Sequence, residues 1–234
     1  MNKLHILTPV KDSLDTTLRT INSIMDSEVS VDFIYTVYND FSSDTTTETL
    51  EETSKKLGFT LVNLKDITMH PSPNYLLILQ KAQQRANFEN AHLMIIESDV
   101  MVAKNTIQQL YDYALTLEKP GMVSAVTTDI QGKINFPYSY AKKLTQDIVS
   151  SRKRLSLCCT ILTRSFLSSY NFDMLNPEKT RFDVSLSHKS IELVFKNYLL
   201  TSFRVVHLPH SSHPWKKLIY TNPLKILRIL RRKD

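Results

Sequence analysis

His92-Leu-Met-Ile-Ile-Glu-Ser-Asp-Val100 decides how this chain is read. A short, mostly apolar run with no helical period reads as a buried strand. Two carboxylates separated by one serine, Glu97 and Asp99, follow it at once. Buried carboxylates are costly unless paired. At the carboxyl end of a parallel strand, however, they face the crevice where α/β proteins bind ligands. Oxygen donors there suit Mg²⁺ or Mn²⁺, ions that usually share their coordination with phosphates. A strand ending in a solvated acidic loop is the plainer alternative, so other residues must decide.

Outward from this stretch, strand and helix alternate. Leu4–Thr8 reads as a first strand stopped by Pro9, with Ser13 as the cap of a helix carrying Leu14, Leu18, Ile21 and Met25 at helical spacing. Residues 31–38 read as a second strand and 39–44 as a turn. Residues 45–57 form a helix closed by Gly58, and 59–63 a third strand. The prolines near His70 make a loop, followed by a helix over 75–87. Asn105 caps a further helix before Pro120-Gly121. Such alternation predicts right-handed βαβ units and a mostly parallel central sheet flanked by helices. In the second half, strands are expected at 122–127, 157–162 and 203–208, and a helix at Val184–Lys196.

The chain has 234 residues, 42% of them hydrophobic, enough to bury one good core. Only three glycines are present, and neither GxGxxG nor GxxxxGK[ST] occurs, which excludes a glycine-rich phosphate loop. Cys158 and Cys159 are adjacent, so there is no disulfide framework and no CxxC zinc pair. The opening residues are broken too soon by Pro9 for a signal peptide, and no apolar run approaches the ~18 residues of a spanning helix. A reducing, cytoplasmic setting is expected. Seven of the 29 Lys/Arg but only one of the 23 Asp/Glu fall in residues 216–234. The body is therefore neutral, and the tail carries the net charge of +6.

In a parallel sheet the segments Thr8-Pro-Val-Lys-Asp12, Asn39-Asp-Phe-Ser-Ser-Asp44 and Glu97-Ser98-Asp99 converge on one edge. Asp40 there suits the N3 proton of a uracil or thymine ring. Glu97 suits a ribose hydroxyl, which leaves Asp99 for a metal. Alone, residues 39–44 would be an ordinary Asx turn.

In this order and spacing the chain resembles glycosyltransferase family 2, inverting nucleotide-sugar transferases of the GT-A fold. The resemblance runs from the Thr8–Asp12 turn through the 39–44 segment to Glu97-Ser-Asp99 in place of the DXD motif. It continues in Leu157-Cys-Cys-Thr-Ile-Leu-Thr-Arg164 and Phe182-Asp-Val-Ser-Leu-Ser187, covering roughly residues 3–213. Asn39, Phe41, Glu97 and Phe182 depart from the usual residues, while Asp99 and Asp183 match.

The resemblance implies a GT-A domain over 1–215, with a nucleotide-binding half to about residue 100 and an acceptor half beyond it. Thr8, Pro9, Val10, Asp12, Asn39, Asp40, Glu97 and Ser98 would line the donor, a UDP-, dTDP- or GDP-linked sugar. Asp99 would bind Mg²⁺ or Mn²⁺, joined by a late histidine, His213 or His210. His207, inside a strand pattern, reads as structural. Asp183 would be the general base towards a hydroxyl of a glycan or lipid-linked acceptor, a helix cap, or both. Lys142, Lys143 and Arg152–Arg154 are either a phosphate clamp or a solvated basic face. In the tail, Lys225, Arg228, Arg231 and Arg232 lie opposite Ile226, Leu227, Ile229 and Leu230 on a helical projection. Such a helix suits an anionic membrane surface, here the cytoplasmic face of an inner membrane, or else docks on the domain. Nucleic acid ranks below both, because aromatic stacking partners are sparse. The alternatives to a transferase building surface polysaccharide or lipopolysaccharide are a non-catalytic nucleotide-sugar-binding module of the same fold and a nucleotidyltransferase.

Overall fold

Apolar side chains on both faces of a strand demand cover on both sides of the sheet, and the chain supplies it. In the computed structural model, which describes residues 3–208, every residue of β4 (Ala91–Ile96) is buried. Met94 and Ile96 join the core on one face, Leu93 and Ile95 that on the other. The first face is covered by α1 (Leu14–Met25), α2 (Asp44–Leu57) and α4 (Thr106–Thr116), through Ile21, Ile24, Leu50, Ile107 and Leu110. The second is covered by α3 (Tyr75–Phe88), α5 (Arg164–Ser169) and α6 (Phe182–Glu192), through Ile78, Leu79, Phe166 and Leu186. α2 ends as expected on Gly58, whose φ of 82° is the left-handed cap that glycine adopts without strain.

The central sheet runs β3 (Thr60–Asn63), β2 (Phe33–Asn39), β1 (Lys3–Val10), β4, β8 (Cys159–Leu162), β6 (Pro120–Thr128), β9 (Lys196–His207) and β5 (Val100–Met101). A short β7 (Ile148–Ser150) also pairs with β9. The first four strands are mutually parallel, as their alternation with helices predicts. β8 then runs antiparallel between β4 and β6, and β9 lies parallel to β6, so the whole sheet is mixed. The carboxyl ends of β1, β2, β4, β6 and β9 therefore share one edge with the start of β8.

Several boundaries differ from the sequence expectation. β1 continues through Pro9 to Val10, because its pairing with β4 stops at Leu7 and Pro9 has a neighbour on one side only. The helix expected at Val184–Lys196 begins at Phe182 and ends at Glu192, and the chain reverses at Val194 with φ 64°. β9 starts at Lys196, well before the expected residue 203, and carries a register shift in which Leu200 and Arg204 pair with the adjacent Ala125 and Val126. No helix among the described residues is long and apolar enough to cross a membrane. The tail over 216–234, Trp215, His210 and His213 lie outside the described residues.

Candidate active site

The Glu97–Asp99 turn is held by main-chain bonds. Glu97 donates its amide to the Cys158 carbonyl at 2.9 Å and accepts the Val100 amide at 3.1 Å. β5 then pairs Val100 with His207 at the end of β9, and Leu208 donates its amide to the Asp99 carbonyl at 2.7 Å. This ladder sets His207 Nε2 3.4 Å from Asp99 Oδ2, both side chains being 2% exposed. His207, read from sequence as structural, thus belongs to the carboxylate cluster.

His207 Nδ1 lies 3.0 Å from the Phe136 carbonyl, an acceptor that puts a proton on Nδ1. In the neutral ring this turns the Nε2 lone pair towards Asp99. Burial lowers the His207 pKa. The hydrogen bond and charge of Asp99, the charge of Glu97 and the Phe136 carbonyl together outweigh it, and the net shift is upward. Without a cation the ring therefore holds a proton beside Asp99 more readily than usual. His207 is the shared member of two contacts, with Asp99 and with Glu97, and carboxylate and imidazole donors are of the kind that suit Mn²⁺ or Mg²⁺. Cys158 adds a thiol, donating to Glu97 Oε2 at 3.3 Å. The donor atoms of Glu97, Cys158 and His207 lie within 4.8 Å of one another.

A cavity of about 180 Å³ opens beside the cluster, and Glu97, His207, Cys158, Arg154, Tyr75 and Asp183 are among its walls. Asp183 sits in the first turn of α6, where the helix dipole favours a carboxylate. It lies one residue inside the helix instead of capping it. Its Oδ1 accepts the Val184 amide at 2.9 Å, and its Oδ2 is ion-paired with Arg154. Each oxygen keeps a second lone pair. Arg154 also lies over the Phe136 ring, at 5.9 Å. It is thus the member of the 142–154 basic stretch that turns into the cavity, while Lys142, Lys143, Arg152 and Lys153 are exposed. Phe182, where the resembling family has Glu, is 6% exposed and packs on Tyr75 with ring centres 6.2 Å apart. A larger groove of about 640 Å³ follows the outer side of α6 past Tyr170, Met174 and His188, and shares Thr180 with the cavity.

At the far side of the edge, the expected donor residues are woven into the scaffold. Thr8 and Val10 are 0% and 1% exposed, and the Thr8 hydroxyl accepts that of Tyr35 at 3.0 Å. Pro9 continues the strand between them, and Ser98 is 5% exposed. Asp12 Oδ1 accepts the Ser43 amide at 2.9 Å. That bond, assisted by Lys11 and opposed by partial burial, holds its carboxyl below the usual range. Asn39 donates to Thr47 and Asn63 and accepts the Ser42 amide. Asn63 Oδ1 faces it as an acceptor, so an amide fits where a carboxylate would not. Phe41 has φ 57°, a left-handed conformation that glycine adopts more readily than a residue with a side chain. Asp40, 6% exposed, accepts the Ser72 hydroxyl at 2.7 Å and the Asn74 amide at 2.8 Å on Oδ2, and Asn74 Nδ2 at 2.8 Å on Oδ1. One acceptor position on Oδ1 is left for a ligand.

Sequence reasoning took His207 as structural, left Arg154 between a phosphate clamp and a solvated face, and gave Cys158 no role. The signal for His207 was its place at the end of a strand sharing an edge with Glu97. For Arg154 the sequence held no signal that separates it from its basic neighbours, since its pairing with Asp183 is made by the fold.

No family model matches the sequence, and no curated protein is similar to it in sequence. In three dimensions the chain is similar to S. aureus TarS 1-349, with TM-score 0.66 and 16% identity over 88% of this chain and 60% of that one. It is similar to GalNAc-T7, solved with UDP, GalNAc and Mn²⁺, with TM-score 0.64 and 13% identity over 89% of this chain and 44% of that one. It is also similar to the mannosyltransferase PcManGT from Pyrobaculum calidifontis, solved with GDP-Man and Mn²⁺. There the TM-score is 0.61 and the identity 14%, over 91% and 59% of the two chains. The chain has the fold these proteins share, GT-A, as a single α/β domain. It spans 60% or less of their length.

Proposed function

We propose that this GT-A domain is a metal-dependent, inverting glycosyltransferase. Its donor would be a UDP-, dTDP- or GDP-linked sugar and its acceptor a hydroxyl of a glycan or lipid-linked molecule. The observation that carries the reading is His207 at the sheet edge, paired with Asp99 on one side and grouped with Glu97 on the other, beside a cavity that Glu97, His207 and Asp183 line. The similar folds solved with nucleotides and Mn²⁺ support it.

A Mg²⁺ or Mn²⁺ held by Asp99, His207 and Glu97 would neutralise charge developing on the departing diphosphate. Asp183 Oδ2 takes the proton of the acceptor hydroxyl as that oxygen bonds to the anomeric carbon. The bond from this carbon to the diphosphate oxygen breaks on the opposite side, and the configuration inverts. Arg154 orients the Asp183 carboxylate and yields part of its hold when the acceptor arrives. The groove along α6, which shares Thr180 with the cavity as a lining residue, would receive the acceptor. The site at the cytoplasmic face of a membrane, and surface polysaccharide or lipopolysaccharide as product, belong to the same proposal.

One observation favours a second reading, a nucleotide-sugar-binding module without catalysis: Arg154 already pairs with the base. Full-length protein should be offered UDP-, GDP- and dTDP-sugars with and without Mn²⁺, following binding and donor hydrolysis. Metal-dependent binding with slow hydrolysis supports the enzyme. Binding without hydrolysis or transfer to any glycan acceptor supports the module, and no binding refutes both.

A further inference from the structure

Two adjacent cysteines face different surroundings. Cys159, 0% exposed, lies in β8 and packs into the core as a small hydrophobe. Cys158, 4% exposed, is on the cavity wall with its sulfur among polar groups. It accepts the Ser156 hydroxyl at 3.1 Å and donates to Glu97 Oε2 at 3.3 Å.

We propose that Cys158 is a ligand of the candidate metal centre. With His207 and Glu97 it gives the nucleotide-free protein a site for a thiophilic divalent cation of the Zn²⁺ or Cd²⁺ class. The inference rests on reading this edge as a metal site, and adds that the site has a soft side. Tetrahedral zinc bonds of about 2.0–2.3 Å place neighbouring donor atoms roughly 3.3–3.7 Å apart. The Cys158 and Glu97 atoms already stand at 3.3 Å, and all three donors lie within 4.8 Å. Small side-chain adjustments close the set. On binding, the thiol releases its proton to solvent, the sulfur bonds the cation, and Glu97 exchanges its S–H contact for a metal bond. The Ser156 hydroxyl stays as a donor to the thiolate, the kind of outer partner that tunes metal ligands. Harder Mn²⁺ or Mg²⁺ prefers the carboxylates and a diphosphate, so the two classes of ion compete through His207 and Glu97.

Cadmium titration of the full-length protein tests this, because a sulfur-bound Cd²⁺ gives an ultraviolet charge-transfer band. Wild type and Cys159→Ala should show the band, saturating at one cation per chain. Cys158→Ser and Cys158→Ala should lose it and bind Zn²⁺ about tenfold or more weakly against a chromophoric chelator. Mn²⁺-dependent nucleotide binding should be unchanged in Cys159→Ala, whose sulfur lies in the core. Unchanged Zn²⁺ affinity in folded Cys158 variants, or a band that follows Cys159, overturns the proposal. His207→Ala keeps the two questions apart. If Mn²⁺-dependent nucleotide binding survives it, the metal-site reading fails, whereas the thiol's part is read from the Cys158 variants alone.

Discussion

Replacing Asp40 by alanine removes three charge-assisted hydrogen bonds with which the end of β2 holds Ser72 and Asn74, the residues leading into α3. Such bonds are each worth ~1.5–3 kcal/mol net. Their sum overshoots, since all three share one carboxylate and are not additive. Ser72 and Asn74 are half-buried, so their freed donors regain water once the loop opens. The expected loss is about 2–4 kcal/mol, which for a domain of this size lowers Tm by roughly 4–16 °C. Asp40→Asn keeps an acceptor for the Oδ2 pair but sets an N–H against Asn74 Nδ2, and should cost about half as much. Urea unfolding and thermal melts measure the stability, and nucleotide titration the binding. If Asp40→Ala melts within about a degree of wild type yet no longer binds nucleotide, the clamp argument is wrong, and Asp40 serves the donor alone.

Asp183→Asn should lower sugar transfer by ~10²–10⁴-fold while leaving donor affinity nearly unchanged. Lost donor affinity would instead place Asp183 on the donor side. Burial, with the charge of Arg164, pushes His92 down to about 4 from 6.5. The unfolded chain therefore binds a proton that the folded one refuses, and this stability is full above 6.5 and lost as pH falls towards 4. From about pH 7 to about pH 5 wild type should lose about 2 kcal/mol relative to His92→Phe in urea unfolding, and a constant difference would contradict the burial argument. A methyl on Gly121 would meet Ser190 Oγ at 2.0 Å and Phe195 Cβ at 2.8 Å, and Ser190 is itself tied to Asn197 at 2.7 Å. Gly121→Ala should cost at least ~1–3 kcal/mol. Gly58→Ala, with open space but φ 82°, should cost only ~1–2 kcal/mol; a Gly121→Ala cost below ~1 kcal/mol would mean the packing around Gly121 yields freely.

What could be read in the sequence is what has local cause. The parallel half follows from apolar runs alternating with helical stripes, and the Glu97–Asp99 pair from carboxylates at a strand end. β5, two residues long, and β7, three, are too short to show any period, yet β5 brings His207 to Asp99. The end of α6 was hidden because Val194 and Phe195 prolong its apolar pattern, and a β-branched residue at φ 64° carries no local signal for a reversal. Tertiary pairing, not propensity, decided there. Asp40 was legible as an acceptor at the sheet edge. That Ser72 and Asn74 fold onto it depends on a loop whose position no spacing specifies.

The ladder between β5 and the end of β9 has a consequence for affinity. Asp99 and His207 are separated by more than a hundred residues of chain, but their spacing is fixed by backbone bonds at Val100, His207 and Leu208. The entropy of bringing them together is spent during folding, before any cation arrives. On the function proposed above, an incoming ion would meet a preorganised pair. Its binding should raise thermal stability by simple mass action while leaving the shape of the protein almost unaltered.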